Sequence, residues 1–392
     1  MEFMKYKLRE LIRIKNGKDH KGLNAGTYPV FGSGGVMRYV DSFLYDKPSV
    51  LLPRKGTLNN IQYADKPFWT VDTLYYTEVN ENKANAYYLY NYLKLLDLSN
   101  LNSGTGVPSM TFDSYYNLSV KIPTLKVQNT IASVLSHIDK KISINREINR
   151  NLEELAKQIY DYWFVQFDFP NEDGKPYKTS GGKMVWDELL KREIPAGWEV
   201  GILSDIAYIT MGQSPDGSSY NETGVGIIFY QGSTDFGIRF PTIRVYTTSP
   251  KRFAKKGDIL MSVRAPVGIL NIANHDCCIG RGLAALKSKV ASMVHLWFTM
   301  EVFKQRFEGK NLSGTTFGAI TKDELFSLPV VVPPKELLLM FNKKTLSIFN
   351  NQLSIGAEID KLTSLRNSLL PLLMNGQVTL NSCFSEQSIS GK

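Results

Sequence analysis

The sequence predicts a protein of the mixed α/β (α+β) class with a pseudo-twofold internal repeat. Two similar globular domains are separated by two long helices that pack as an antiparallel coiled coil. Three observations predict this fold. The chain repeats itself at an interval of about 210 residues, each copy combines short strand patterns with turn glycines, and each copy is followed by a long apolar stripe of helical spacing.

The repeat is clearest around a Ser-Gly-Thr motif. Ser103–Thr105 recurs as Ser313–Thr315, an interval of 210 residues. Upstream, Val50-Leu51-Leu52 followed by Arg54 parallels Ile259-Leu260-Met261 followed by Arg264 if one inserted residue is allowed. The interval of 210 also aligns Thr111 with Thr321, Asp113 with Asp323, Leu118 with Leu328 and Pro123 with Pro333. We therefore interpret the chain as two copies of one unit.

The globular part of each copy shows short strands interrupted by turn residues. We predict strands at 28–31, 49–52 and 73–77 in the first copy, and at 226–230, 258–263 and 282–286 in the second. Helices are predicted at 87–96 and 294–307, where aromatic and aliphatic residues recur every three or four positions. Each globular part is therefore predicted to be mixed α/β.

Two long amphipathic helices are the most distinctive elements. Apolar residues recur at steps of mostly three and four between Ile131 and Ile159, and again between Ile348 and Leu372. Both stripes favour a coiled-coil seam, and a helix of some 40 residues is roughly 60 Å long. Since neither helix can bury its stripe alone, we expect the two helices to pack against each other.

These patterns divide the chain into six segments. We predict a first globular domain at 1–124, a central long helix at 125–167, a linker at 168–198, a second globular domain at 199–333, a C-terminal long helix at 334–375 and a tail at 376–392. The linker is polar and rich in glycine, which lets the chain return for the second domain.

Composition narrows the class of protein. The 392 residues carry a formal net charge of +9, with 43% hydrophobic and 21% charged residues, which is typical of a soluble globular chain with an anionic partner. No apolar run is long enough to span a membrane, and Met1–Lys5 lacks the order of a signal peptide. The charge alone does not choose between nucleic acid and an acidic membrane face as the anionic partner. Three cysteines cannot form a disulfide framework, so we expect a cytoplasmic protein.

No metal site is predicted. His275-Asp276-Cys277-Cys278 has no second ligand cluster, and structural zinc sites need two spaced ligand pairs. A half-buried strand that carries small thiols is the better interpretation of this motif.

Several separated segments resemble the specificity subunits of type I restriction–modification systems. In the first copy the resemblance rests on residues 28–35, Pro53–Thr57 and Phe68–Thr73, and in the second on Lys256–Arg264 and Ser313–Ile320. Phe167–Pro170 and Leu369–Gly376 are also similar to the family, so the resemblance covers about residues 4 to 380.

The resemblance implies a function and a set of partners. Each globular part would be a target-recognition domain that reads one half of a split double-stranded DNA target. With this resemblance we expect DNA and no membrane as the anionic partner. The helices would set the distance between the halves and dock two methyltransferase (modification) subunits, and restriction subunits can join. S-adenosylmethionine, ATP and magnesium would be used by those partners, so this chain would bind no cofactor and carry no catalytic residue.

The residues themselves agree with a non-catalytic chain. The Pro-Pro dipeptide at 333–334 ends a strand and begins a helix rather than forming a methyltransferase loop, and no P-loop motif occurs. Gly32–Gly35 lacks the Gly-x-Gly-x-x-Gly spacing of a dinucleotide site and is interpreted as a turn. Two alternatives stay open: a stand-alone DNA methyltransferase or nuclease, and a coiled-coil adaptor without DNA specificity.

Candidate DNA-binding residues follow from side-chain chemistry. Arg and Lys suit guanine and phosphate, Asn and Gln suit adenine, and Ser and Thr adapt to either. The candidates are Arg54, Lys55, Thr57, Asn59, Asn60, Gln62, Ser103 and Thr105 in the first domain, and Arg264, Arg281, Ser313, Thr315, Thr316 and Lys322 in the second. An aromatic cluster at 160–169 could stack on bases, but its place beside the linker favours a role in packing.

Overall fold

The first domain consists of paired strands, most of them antiparallel, and two short helices. The computed structural model describes residues 2–98, 108–237, 239–290, 292–312 and 318–378, leaving aside the side chains of 305, 306 and 308–312. The elements of the first domain are β1 (Phe3–Lys7), β2 (Ile12–Asn16), β3 (Ala25–Gly32), β4 (Gly35–Val40), β5 (Ser49–Pro53), β6 (Gln62–Ala64), β7 (Trp69–Thr70), β8 (Leu74–Val79), α1 (Ala86–Lys94), α2 (Phe112–Tyr116) and β9 (Ser119–Pro123).

The described residues of this domain form three sheets. A four-stranded sheet has the order β2-β8-β5-β6, a three-stranded sheet has the order β4-β3-β7, and β1 pairs with β9. All five residues of β5 are buried, which explains why its sequence is almost entirely apolar. The amphipathic helix α1 starts where the Asn85 side chain accepts a hydrogen bond from the Tyr88 N–H, and it buries Tyr88, Leu89 and Leu93 in the core.

The central helix α3 (Leu125–Tyr160) continues as a turn of π-helix, Asp161–Val165. The aromatic residues that follow do not form a free stacking surface. Tyr160, Trp163, Phe164, Phe167 and Phe169 are buried in one hydrophobic core with Trp198. Packing is therefore the role of these five residues, whereas Tyr162 of the same cluster is 39% exposed.

The segment between the two copies is more structured than its composition suggests. A hairpin of β10 (Met184–Asp187) and β11 (Arg192–Pro195) occupies part of the predicted linker, with Val185 paired to Ile194. The polar, glycine-rich part of this segment ends before Met184, and the alternating apolar residues beyond it pair as strands.

The second domain repeats the order of the first with two added strands. Its elements are β12 (Glu199–Ile202), α4 (Leu203–Ile206), β13 (Ala207–Met211), β14 (Tyr220–Asn221), β15 (Ile227–Tyr230), β16 (Val245–Thr247), β17 (Phe253–Ala254), β18 (Ile259–Ser262), β19 (Leu270–Ile272), β20 (Cys277–Ile279), β21 (Leu283–Ser288), α5 (Met293–Leu312), α6 (Lys322–Phe326) and β22 (Pro329–Val332). The added strands, β14 and β17, widen its second sheet from three strands to five. A mixed α/β class with two sheet-rich domains is confirmed.

The strand order of the second domain repeats that of the first. Its four-stranded sheet runs β13-β21-β18-β19, and β12 pairs with β22 as β1 pairs with β9. Both domains contain one parallel pair, β3 with β7 and β15 with β20. Thr111 and Thr321 cap α2 and α6 with their side-chain oxygens, which explains their match in the sequence repeat.

The two cysteines of the His-Asp-Cys-Cys motif lie deeper than expected. Cys277 and Cys278 are fully buried in β20, which lies between β15 and β17 in a five-stranded sheet. The predicted half-buried strand is thus wrong in its degree of burial, because β20 is an inner strand of its sheet and Cys277 packs in a hydrophobic core with Tyr230 and Leu260.

The chain divides into two compact units, Met1–Ser143 with Lys361–Lys392 and Ile144–Asp360. The last helix, α7 (Lys335–Met374), contributes to both units, as α3 does. In the first unit Arg366 Nη1 lies 2.9 Å from Asp139 Oδ1. In the second, Asn145 Nδ2 donates to Glu358 Oε2 (2.9 Å) and Gln352 Nε2 donates to the Asn149 carbonyl oxygen (3.2 Å).

Candidate nucleic-acid interface

The candidate residues of the first domain collect at one edge of its four-stranded sheet. At this edge β2 and β5 end while β6 and β8 begin, as the pairs Asn16 with Tyr75, Pro53 with Leu74 and Leu51 with Gln62 show. The loop that joins β5 to β6, residues 54–61, contains five of the six candidates before Ser103, and Gln62 opens β6. The sheet therefore positions these side chains as one group.

Backbone hydrogen bonds fix the shape of the 54–61 loop. Arg54 N–H donates to the Thr73 carbonyl oxygen (2.9 Å), and Gly56 N–H donates to that of Pro108 (2.9 Å). Gly56 has a φ of +93°, which side-chain-bearing residues rarely adopt, so glycine is needed at this turn. The neighbouring Lys55 and Thr57 are exposed. Both can therefore reach a ligand from a rigid backbone.

The three amide candidates hold neighbouring loops in place. Asn60 Nδ2 donates to the Ser33 carbonyl oxygen (2.5 Å), and Gln62 Nε2 donates to that of Gly32 (2.8 Å). Gly32 is the last residue of β3, and Ser33 opens the turn to β4. Asn59 Oδ1 accepts from the Leu98 N–H (2.9 Å). In this structure these amides position loops, which the sequence alone did not reveal.

Arg54 is half-buried and lies against an aromatic ring. Its guanidinium carbon is 6.0 Å from the centroid of the Tyr75 ring, and its Nη1 donates to the Asp72 carbonyl oxygen (3.3 Å). Burial raises the pKa of Tyr75, and the positive charge of Arg54 opposes that rise. The arrangement leaves part of the guanidinium on the surface beside exposed Lys55.

In the second domain two arginines meet at the equivalent edge. Arg264 follows β18, and Arg281 lies between Gly280 and Gly282 in the turn before β21. The Val263 N–H donates to the Gly282 carbonyl oxygen (2.9 Å), which brings the two segments together. Both arginines are exposed. Both cations therefore lie at this edge, where the first domain has Lys55 at the position of Arg264 and Asp72 at the position of Arg281.

The remaining candidates have different positions. Lys322 is exposed in the first turn of α6, and its Nζ lies 5.3 Å from the centroid of the Phe326 ring. Ser103, Thr105, Ser313, Thr315 and Thr316 lie outside the described residues.

The structure corrects the alignment of the two arginines. Arg54 was paired with Arg264 by allowing an inserted residue, but the hydrogen bonds pair Arg54 with Val263 and Lys55 with Arg264. The two copies stay aligned through the strands β8 and β21. The extra residue of the second copy therefore comes later, in the part that corresponds to the segment between Val79 and Pro108. The equivalent contacts are Met110 N–H to Arg54 O (3.0 Å) and Ile320 N–H to Val263 O (2.9 Å), and the bridges of Lys55 with Ser109 and of Arg264 with Ala319.

Two residues at this edge were missed by sequence reasoning. Lys18 N–H donates to the Thr70 carbonyl oxygen (2.8 Å), and Gln213 N–H donates to that of Ile279 (3.0 Å), so the two residues are equivalent. Each follows a glycine, Gly17 or Gly212, at which a Cβ atom would lie 2.1 Å from a backbone oxygen. A glycine directly after a strand was the available signal.

The part of the chain that the structure describes shows neither a metal site nor a membrane-spanning helix. No group of three His, Cys, Asp or Glu side chains is arranged to hold a metal ion. None of the helices described there is long and apolar enough to cross a membrane.

Comparisons with known proteins agree on one protein family. Residues 1–154 and 195–362 match the type I restriction modification DNA specificity domain. The chain is 32% identical over 313 residues to the putative type I restriction enzyme MjaX specificity subunit of Methanocaldococcus jannaschii, an alignment covering 77% of this chain and 70% of the other. It is 25% identical over 341 residues to the type I restriction enzyme HindI specificity subunit of Haemophilus influenzae, covering 70% and 72%.

A solved structure has a similar fold. The crystal structure of a type I restriction–modification S subunit from M. genitalium superposes with a TM-score of 0.60 at 18% sequence identity. The match covers 95% of this chain and 96% of the other. At this level of identity the match shows a shared fold.

Proposed function

This chain belongs to the DNA specificity subunits of type I restriction–modification systems, and from that premise we propose that each of its domains reads one half of a split DNA target. The chain is a non-catalytic component of the complex and supplies DNA recognition. One observation carries the proposal: the two domains repeat the same sheet edge with different side chains on it. The alternatives of a stand-alone enzyme or a simple adaptor are not favoured.

The equivalent positions differ in recognition chemistry. Lys55 of the first domain corresponds to Arg264 of the second, and Lys18 corresponds to Gln213. A guanidinium can bind guanine through two parallel hydrogen bonds, whereas an ammonium acts as a point charge. The two domains thus share a scaffold but present different hydrogen-bonding side chains. This difference supports the proposal that they read two different half-sites.

Replacing residues 4–124 by the first domain of another family member tests this proposal. We expect one half of the methylated DNA motif to change while the other half and the spacer stay the same. A matched control exchanges 199–333 instead and should change the opposite half. If either exchange alters both halves, the domains do not read DNA independently.

We propose that α3 and α7 form an antiparallel coiled coil that sets the distance between the half-sites. In the second unit, Asn145 contacts Glu358 and Asn149 contacts Gln352, so the partner numbers fall as the α3 numbers rise. This order supports opposite chain directions. Inside the first unit, Asp139 pairs with Arg366.

The spacing role has a mechanical test. Inserting four residues into each long helix at facing positions lengthens the pair by about 6 Å. The accepted spacer should then grow by one or two base pairs, while both half-site sequences stay unchanged. Replacing four residues of the same helices by alanine at exposed positions is the control and should leave the spacer as it was. An unchanged spacer after the insertion would contradict the spacing role.

We further propose that the long helices dock two methyltransferase subunits in the cytoplasm, to which restriction subunits can be added. Ile148 and Leu155 belong to the apolar stripe that was expected to be buried between the two helices, but they are 40% and 46% exposed. Together with exposed Ile144 they support a docking face on α3. S-adenosylmethionine, ATP and magnesium would be bound by these partners and not by this chain. Purifying the tagged chain from its source cells should recover the modification subunit, and the isolated chain should not methylate DNA.

A further inference from the structure

The hairpin of β3 and β4 has an irregularity close to its turn. Phe31 pairs with Val36, whereas the preceding residue Val30 pairs with Arg38. Met37 therefore has no partner across the hairpin and is the extra residue of a β-bulge. A bulge bends its strand and turns the side chain of the extra residue in a new direction.

The bulge lies in a strand that carries exposed apolar side chains. Met37 is 60% exposed and Tyr39 is 55% exposed, and Val36 is also exposed. Among the described residues β4 pairs with β3 alone and is the edge strand of its sheet. Edge strands of soluble proteins usually carry charges or prolines, which prevent unwanted pairing. An apolar edge strand of this kind is typical of a surface that binds something.

This surface is continuous with the candidate nucleic-acid interface. The Gly32 carbonyl oxygen accepts the hydrogen bond from Gln62, and a Cβ atom on Gly32 would lie 2.5 Å from Met37 Sδ. Met37 thus lies next to the residue that the recognition edge holds in place. The exposed cations Lys18 and Lys55 belong to the same edge.

We propose that the β3–β4 hairpin enters the major groove of one half-site, where Met37 contacts the C5-methyl group of a thymine. The inference rests on the proposed function and names the apolar part of the recognition surface. The major groove admits a two-stranded β-ribbon, and the thymine methyl is the apolar group exposed there. The two lysines favour DNA as the occupant over an apolar protein surface, because they complement phosphate.

Deoxyuridine substitution tests the contact directly, because deoxyuridine pairs like thymidine but lacks the methyl group. The complex purified through a tag on this chain is assayed for methylation at subsaturating DNA. The duplexes carry the natural target, or the target with one thymine at a time replaced on either strand. We expect about a fourfold loss of rate at one thymine of one half-site, the effect of removing one buried methyl group.

Three variants complete the test. Met37→Ser should lower the rate on the natural duplex by about fourfold or more and should show no further loss with deoxyuridine at that thymine. Met37→Leu keeps an apolar side chain and should keep the sensitivity. Met4→Ser changes a 40% exposed methionine on β1, which pairs with β9, and should behave like the natural protein.

Four outcomes would overturn the inference. The natural complex could be indifferent to every thymine replacement, or Met37→Ser could retain the full deoxyuridine penalty. Met37→Leu could lose activity as completely as Met37→Ser, which would exclude an apolar contact. Met37→Ser could methylate normally but lose a subunit during purification, which would assign this surface to a protein partner. A complex that does not distinguish the target from a scrambled duplex would refute the proposed function as well.

Discussion

Lys55 and Arg264 occupy the same position in the two copies of the fold. Each forms an isolated antiparallel bridge, Lys55 with Ser109 and Arg264 with Ala319, where the chain leaves a buried strand. Both side chains are exposed, Lys55 at the sheet edge that also carries Arg54 and Gln62, and Arg264 at the edge that carries Arg281. This equivalence makes the pair the most direct probe of how the two domains divide their target.

Lys55→Ala and Arg264→Ala should each weaken one half-site only. Loss of a base or phosphate contact typically costs about 1–3 kcal/mol, so the methylation rate at low DNA concentration should fall about tenfold. The measurement is methylation of duplexes in which each half-site is varied separately. If Lys55→Ala relaxes the same base pairs as Arg264→Ala, the assignment of one domain to one half-site is wrong.

Asn60 and Gln62 should act on recognition by holding the turn between β3 and β4. The double change Asn60→Leu with Gln62→Leu removes the hydrogen bonds to Ser33 and Gly32. We expect reduced methylation through one half-site, with a melting temperature lowered by only a few degrees, since each hydrogen bond contributes about 1 kcal/mol.

The matched control for the turn is Asn82→Leu, an exposed asparagine beyond the other end of β8. It should leave the methylated motif unchanged. Equal effects of the control and of the double change would argue against a positioning role for the two amides.

Glu153 should contribute to stability through buried Arg239. The Arg239 side chain is 6% exposed, its Nη1 lies 2.8 Å from Glu153 Oε1, and its guanidinium stacks on the Trp297 ring at 4.5 Å. Burial lowers the pKa of Arg239, and Glu153 opposes that shift. Glu153→Gln removes the ion-pair partner of a buried charge and leaves the more weakly acting Glu301, so the free energy of unfolding should fall by about 2–4 kcal/mol.

Denaturant unfolding of this variant can be compared with Glu188→Gln. Glu188 pairs with Lys191 at the surface, where ion pairs contribute little. Similar stability of both variants would show that the Arg239 charge is compensated by other groups.

His295 should make the stability of the chain depend on pH. Burial lowers its pKa from 6.5 to about 3, so the folded protein holds the neutral imidazole at pH 7. Below pH 6.5 the unfolded chain takes up a proton that the folded chain does not bind. Stability is therefore complete above pH 6.5 and is lost as the pH falls towards 3, by about 2 kcal/mol between pH 6.5 and 5.

Urea unfolding at pH 7.5 and at pH 5 measures this effect. His295→Leu should remove that part of the pH dependence, whereas His137→Gln, at an exposed position of α3, should retain it. An unchanged slope in the His295 variant would mean that another group is responsible.

The elements that could be predicted from the sequence are those with local signals. Thr111 and Thr321 were found as repeated residues and cap helices, and the apolar stripes became α3 and α7. Two-residue strands such as β7 and β17 have no periodicity to detect. They form because long-range pairing supplies their hydrogen bonds.

The finer parts of the candidate site depend on tertiary hydrogen bonds. Side-chain chemistry made Asn60 and Gln62 candidates for base contacts. No local sequence pattern indicates that their amide N–H groups donate to the carbonyl oxygens of Ser33 and Gly32. The alignment of Arg54 with Arg264 is wrong because it matches two identical residue types. The backbone hydrogen bonds pair Lys55 with Arg264 instead. Met37 was overlooked because a bulge depends on the pairing of two strands.

The central claim is that this chain gives a methylating complex its split DNA specificity. A methylation map of the source genome, made with the gene intact and with the gene deleted, tests it most directly. We predict a motif with two specific halves and a fixed non-specific gap in the intact strain, and its complete loss on deletion. Identical maps in the two strains would contradict the claim.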